Sequence, residues 1–307
     1  MKILFAATPE IAVPCLGPLS QNAEVEVLTN LDAPAGRSGQ LRASPVKVAA
    51  LELGLKVHQP SRLDAEFRAS LKGFDLLVSF AYGKIFGPRF LELFPWGGLN
   101  VHPSLLPRWR GASPLTAAIL AGDLETGICV QTLALGMDEG DLVGCLKRPL
   151  EGTETTESLT EWASKAAPGL LLTAVARLAS GERQFTPQQG EAVYCQKISK
   201  EDGLIDWKKS AHELEAQVRA FTPWPASWTF WRGQTLTLRQ VRVLDGEKTA
   251  DPGRVLALDK SEGILVQTGS GLLALRELQL AGKKTLDFRS FANGTRDFVG
   301  SLLGEET

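Results

Sequence analysis

Asn100, His102 and Asp138 are the residues of this sequence best suited to chemistry on an acyl group. Asn100 and His102 stand two apart in Gly98-Leu99-Asn100-Val101-His102, and Asp138 stands in the turn-like run Met137-Asp138-Glu139-Gly140-Asp141. Residues two apart in a strand share one face. An amide N–H and an imidazole on that face suit stabilisation of an oxyanion. The imidazole also moves a proton, and a nearby carboxylate orients it and favours its charged form. On residue types and spacing alone, acyl and phosphoryl transfer both stay open. A strand-end His near an Asn is as often structural, and Asp-Glu-Gly-Asp is ordinary turn chemistry.

The elements that must position these residues follow from periodicity. Ile3–Ala6, Glu24–Thr29, Leu55–His58, Asp75–Ala81 and Gly98–His102 read as strands, and Pro45–Leu53 reads as a helix with Val46, Ala49, Ala50 and Leu53 on one stripe. This alternation predicts an α/β fold, an open parallel Rossmann-like sheet with helices on both faces. Such sheets take their ligands outside the carboxyl ends of the strands, where Asn100 and His102 fall. Pro103 stops that strand, and Ser104–Gly111 follows as a loop stiffened by proline. Ile128–Leu133 and Leu142–Leu146 read as neighbouring strands joined by a tight turn carrying Asp138, and a long helix over Thr156–Leu178 closes the domain.

Gly181–Glu201 is polar and aperiodic and reads as a linker. A helix over Ser210–Ala220 and short strand-like segments separated by glycines follow, the pattern of a small antiparallel barrel, OB-like. The expected domains are a catalytic domain over 1–182, a linker over 183–204 and a barrel over 205–307.

The chain has 307 residues, a length for two domains, with 33 basic and 35 acidic side chains and a net charge of -2. A bulk nucleic-acid binder is thereby excluded, and any such binding needs a local patch. The last 103 residues hold 14 Lys/Arg and 13 Asp/Glu, too even to mark a nucleic-acid module by charge. No run of 18 apolar residues occurs. Cys15, Cys129, Cys145 and Cys195 lie far apart without C-x-x-C, so reduced, buried thiols and a cytoplasmic location are expected. Trp224, Trp228 and Trp231 suit either a base-stacking platform or, more in keeping with the residue, barrel core and seam. His58 and His212 read as structural.

Asn100-Val101-His102-Pro103-Ser104-Leu105-Leu106-Pro107, followed by Met137–Asp141, resembles the signature of the formyltransferases that use 10-formyltetrahydrofolate. Phe5–Glu10, Pro34–Arg37, Ser44–Lys47, Ala81–Ile85, Arg108–Ala112, Ile205–Trp207 and Arg219–Pro225 extend the resemblance to the branch acting on methionyl-tRNA. The resemblance implies formyl transfer from 10-formyltetrahydrofolate to the α-amine of methionine on initiator tRNA, for translation initiation, with no metal. It makes Asn100, His102 and Asp138 catalytic. It assigns Ser104, Leu105, Leu106 and Pro107 to a folate loop and the backbone of Tyr82, Gly83, Lys84, Ile85 and Phe86 to a pterin pocket. The loop over 31–44 is similar to one that wedges into the tRNA acceptor end, with Arg37 and Arg42 as contacts. Ser38-Gly39-Gln40 stands there in place of several basic residues, Asn30-Leu31 replaces a proline-containing stretch, and Ala7 replaces a glycine. Lys208, Lys209, Lys283, Lys284, Arg289 and Arg296 are candidate phosphate contacts of the barrel. A monomer is expected. The alternatives are a formyltransferase acting on a sugar-nucleotide or other small amine, and a folate-binding module without catalysis.

Overall fold

A computed structural model describes residues 1–35 and 39–304. The chain divides into two compact units, one of Met1–Pro114, Glu125–Pro149 and Leu159–Gln196, the other of Leu115–Leu124, Leu150–Ser158 and Lys197–Thr307. No helix among the described residues is long and apolar enough to cross a membrane.

The first unit carries β1 (Lys2–Ala7), α1 (Leu16–Asn22), β2 (Glu24–Leu28), β3 (Ala33–Ala35), β4 (Gln40–Arg42), α2 (Pro45–Glu52), β5 (Lys56–His58), α3 (Ala65–Ser70), β6 (Leu76–Phe80), α4 (Pro88–Leu91), β7 (Gly98–His102) and β8 (Arg110–Gly111). Then come α5 (Pro114–Leu120), which beyond Pro114 belongs to the second unit, β9 (Glu125–Thr132), β10 (Leu142–Pro149), α6 (Thr156–Ala179), whose first three residues also belong to the second unit, and β11 (Tyr194–Cys195). The main sheet runs β10-β9-β7-β6-β1-β2-β5. From β7 to β5 every pairing is parallel, and β9 and β10 add an antiparallel edge. The central strands are near-continuous apolar runs because they are covered on both faces: all five residues of β6 are buried. α2 starts where its sequence predicts, with Ser44 Oγ accepting from the Lys47 N–H and Pro45 in the first turn, where no donor is lost.

Two expectations change here. The connection between β9 and β10 is no tight turn: residues 133–141 form a longer loop, room enough for a site. The thiols are not all reduced. The antiparallel register sets Cys129 directly opposite Cys145, and the two form a disulfide, while Cys15 and Cys195 are free. Distant spacing in sequence says nothing about cross-strand register, which is why the pair was invisible.

The second unit holds α7 (Ala211–Ala220), β12 (Ser227–Trp231), β13 (Gln234–Leu244), β14 (Val255–Asp259), β15 (Gly263–Gln267), β16 (Leu272–Leu280), β17 (Leu286–Asp287) and α8 (Phe288–Gly294). Its antiparallel sheet runs β12-β13-β16-β15-β14, with β17 also on β16. α7 begins with a capping box, Ser210 to Glu213 and back. Trp231 is core, edge-on to Phe298 at 5.1 Å, whereas Trp228 is half-buried and Trp224 is 58 % exposed.

Candidate active site

A cavity of about 490 Å³ opens at the carboxyl ends of β6 and β7. One wall is Ala81 to Phe86, another is Leu133 to Asp138, and Asn100 and His102 rise between them. The first wall turns sharply, with Ala81 at φ +52° and Gly83 at φ +81°. It is backed by aromatic stacking of Tyr82 on Phe86 at 5.4 Å and Phe86 on Phe90 at 5.2 Å. Burial pushes the Tyr82 phenol up to about 12. Ile85, Leu135 and Met137, all exposed, make the mouth apolar.

The strand-end pair and the turn carboxylate do meet. Asn100 Nδ2 donates to Asp138 Oδ1 at 3.2 Å, and His102 Nδ1 lies 3.6 Å from the same oxygen. His102 is 4 % exposed, and its Nε2–H donates to the Trp109 carbonyl at 2.8 Å. A carbonyl can only accept, so the proton sits on Nε2 and Nδ1 is the ring nitrogen left for exchange.

Asp138 is held from every side. Gln131 Nε2 donates to Oδ1 at 2.9 Å, and the Gly111 N–H donates to Oδ2 at 2.9 Å. Gln131 is buried on β9 directly opposite Asn100. Gln188 Nε2 donates to the carbonyls of Asp138 and Gly140, both at 2.8 Å. Gly140 must be glycine, since an added Cβ would stand 1.6 Å from the Thr132 carbonyl oxygen. Half-buried Cys195 lies close by, its thiol raised by burial.

The residues of the 104–107 loop lie outside the cavity lining. Ser104 is buried, its backbone N–H donating to the His102 carbonyl and its Oγ to the Arg108 carbonyl at 2.6 Å. Leu106 is buried, Leu105 packs toward Gly127, and the Pro107 carbonyl accepts from Val193. This loop fixes the turn that brings the Trp109 carbonyl back to His102. Arg42 is exposed on β4, and Arg37 lies outside the described residues.

The basic residues of the second unit do not gather in one place. Lys208 and Lys209 lie against Gly269, just before β16, whereas Lys283 and Lys284 follow its end. Nine strand residues separate the two pairs, roughly 25–30 Å. Arg289 donates to the Lys260 carbonyl at 2.7 Å, and Arg296 is exposed after α8. His58 is structural, bonded to Glu26 at 2.6 Å, and His212 is exposed on α7.

Gln131 and Gln188 were missed in the sequence. Gln131 had a signal, a lone amide directly after the apolar run Ile128-Cys129-Val130; Gln188, in a polar segment, had none. Among the described residues no group of three or more His, Cys, Asp or Glu is placed to hold a metal.

Residues 1–175 match the model of the formyl transferase family and residues 197–296 that of the formyl transferase C-terminal domain. The chain is similar to the methionyl-tRNA formyltransferase of Treponema denticola, 44% identical, covering 97% of this chain and 98% of that one. The fold resembles WlaRD, a sugar 3N-formyl transferase, with a TM-score of 0.67 at 19% identity over 92% of this chain and 99% of that one. It also resembles HypX from Aquifex aeolicus in complex with tetrahydrofolic acid, with a TM-score of 0.64 at 18% identity over 97% of this chain and 48% of that one, so this chain spans about half the length of HypX. A strand-end Asn bonded to a loop carboxylate, with a His 3.6 Å from the same oxygen and a cavity beside them, thus sits in a chain that belongs to the formyl transferase family.

Proposed function

We propose that this chain transfers a formyl group from 10-formyltetrahydrofolate to the α-amine of methionine on initiator tRNA, for translation initiation. The observation that carries the chemistry is the convergence of Asn100, His102 and Asp138 on one cavity. The full-length likeness to a methionyl-tRNA formyltransferase supports the acceptor.

The cavity fits a flat heterocycle: about 490 Å³, mostly apolar walls, a sharply turned backbone on one side, and a few convergent polar groups. Tyr82, Gly83, Lys84, Ile85 and Phe86 would hold the pterin, and Ser104, Leu105, Leu106 and Pro107 would support the site from outside the lining. The folate supplies the formyl carbon in an activated amide. Asn100 donates to the oxyanion that forms when the amine adds to that carbon. Its amide is aimed by the bond to Asp138. His102 would take the proton of the attacking amine on Nδ1, because Nε2 is committed to Trp109, and would return it to the folate nitrogen as the bond from that nitrogen to the formyl carbon breaks and tetrahydrofolate leaves. Asp138, 3.6 Å away, steadies the ring once it is charged.

In this reading residues 1–182 carry the chemistry, 183–204 connect, and 205–307 dock the tRNA. Arg37, Arg42, Lys208, Lys209, Lys283, Lys284, Arg289 and Arg296 contact its phosphates. The chain works as a monomer in the cytoplasm.

The test is transfer of labelled formyl from 10-formyltetrahydrofolate to methionyl initiator tRNA, beside a nucleotide-linked amino sugar as competitor acceptor. Product should form on the tRNA alone. His102→Ala and Asp138→Ala should each lower the rate on the order of a hundredfold or more while folding normally. Near-native transfer by a folded His102→Ala protein removes the mechanism, and transfer to the sugar instead removes the acceptor.

A further inference from the structure

Asp138 has φ +54°, in the left-handed region where a Cβ is crowded against the backbone. Its carboxylate meets Asn100, Gln131 and Gly111 only while the loop holds that conformation. The side chain that grips the loop backbone on both sides of Glu139 is Gln188. We propose that Gln188 is a positioning residue for formyl transfer, holding Asp138 in its strained conformation through two backbone carbonyls. The proposal rests on the catalytic reading of Asp138 given above.

The geometry is specific. Gln188 Nε2 lies 2.8 Å from both the Asp138 and Gly140 carbonyls and 3.2 Å from Gln131 Oε1. The same Gln131 donates to the Asp138 carboxylate through its Nε2 and accepts from the Gly140 N–H through its Oε1. Gln188 itself is oriented from behind: Arg110 donates to its Oε1 from Nε at 3.1 Å and from Nη2 at 2.8 Å. Two guanidinium donors on one oxygen settle which end of the amide is which. Arg110 is anchored in turn by Glu139 at 3.2 Å and by the Tyr194 hydroxyl at 3.1 Å. The strand pair Arg110–Gly111 with Tyr194–Cys195 keeps these groups together.

These bonds are not what attaches the 183–196 segment to its unit. Thr186 and Leu142 already exchange two backbone hydrogen bonds, and Tyr194 and Cys195 pair with β8. Removing the Gln188 amide should therefore release the Asp138 loop and leave the segment in place.

The experiment is a double-mutant cycle on the full chain. Gln188→Ala and Gln188→Glu are each made in the wild-type and in the Asp138→Asn background, and kcat, KM for folate and melting temperature are measured. Gln188→Glu keeps the shape and the Arg110 contact but has no N–H to give the carbonyls. Both variants should lose about tenfold or more in kcat, with KM for folate within about twofold and an unchanged melting temperature. In Asp138→Asn, where the carboxylate is already gone, the same changes should cost less than about twofold, because coupled residues are non-additive. Full kcat in folded Gln188→Ala and Gln188→Glu overturns the proposal, as does an equal loss in both backgrounds. Full activity of Asp138→Asn alone instead overturns the catalytic reading on which the proposal rests. Should Gln188→Ala not fold, the glutamate variant decides the matter.

Discussion

Asn100 and Gln131 stand opposite each other in the β7–β9 register, and both donate to one oxygen of Asp138, at 3.2 and 2.9 Å. Two adjacent strands thus aim their amides at a single acceptor on a loop. The antiparallel edge that β9 adds to the parallel sheet is what provides the second amide.

Gln131→Leu keeps the size of the side chain but leaves Asp138 Oδ1 with one donor fewer and the Gly140 N–H without its acceptor. Gln131 is 1 % exposed, so water does not readily take the place of its amide and the loss is felt at the carboxylate. We expect kcat for formyl transfer to fall about tenfold. Steady-state rates against methionyl-tRNA check this, and an unchanged kcat shows that Asn100 and Gly111 suffice.

Gly140→Ala tests the same loop through its backbone. The new methyl would overlap the Thr132 carbonyl oxygen, placed 1.6 Å away, so the loop must move. The expected outcome is loss of most transfer in a protein whose far-ultraviolet circular dichroism is native, because the shift is local to residues 133–141. Retained activity means that the loop relaxes without disturbing Asp138.

Glu26 on β2 provides a pH prediction remote from the site. Burial alone would push its carboxyl up, but hydrogen bonds from Lys2, His58 and Lys56 outweigh this and bring it down to about 2. A carboxyl depressed in the folded state contributes stability above its unfolded value, near 4.5, and loses it as the pH falls toward 2. Wild type should therefore be more stable than Glu26→Gln at pH 7, and the gap should close between about pH 4.5 and 2. Urea midpoints across that range measure it; a gap independent of pH would show that the interaction is not ionic.

The two lysine pairs of the second unit should act separately. Lys283→Ala with Lys284→Ala should raise KM for tRNA and flatten its salt dependence, with the slope falling by up to about two, one for each neutralised phosphate. Lys208→Ala with Lys209→Ala lies roughly 25–30 Å away along β16, so its effect should add to the first rather than overlap it. Salt titrations of binding in all three proteins test this. If neither pair alters the slope, these lysines are solvated charges and the docking surface is elsewhere.

The sequence by itself determined most strands of the main sheet, the start of α2 and the candidate trio Asn100, His102 and Asp138. Apolar runs such as Leu76–Phe80 and the cap at Ser44 are local signals, and Asn100 with His102 is a contiguous motif at a strand end. Only the tertiary structure decided what holds that motif in place. Gln188 lies fifty residues beyond Asp138 and meets it because β11 pairs with β8; Gln131 faces Asn100 because β9 runs antiparallel to β7. The Cys129–Cys145 pair and the separation of the lysines along β16 have the same origin. Register and strand pairing join residues with no local pattern in common, because the free energy that fixes them comes from burying whole faces of the sheet rather than from neighbouring residues.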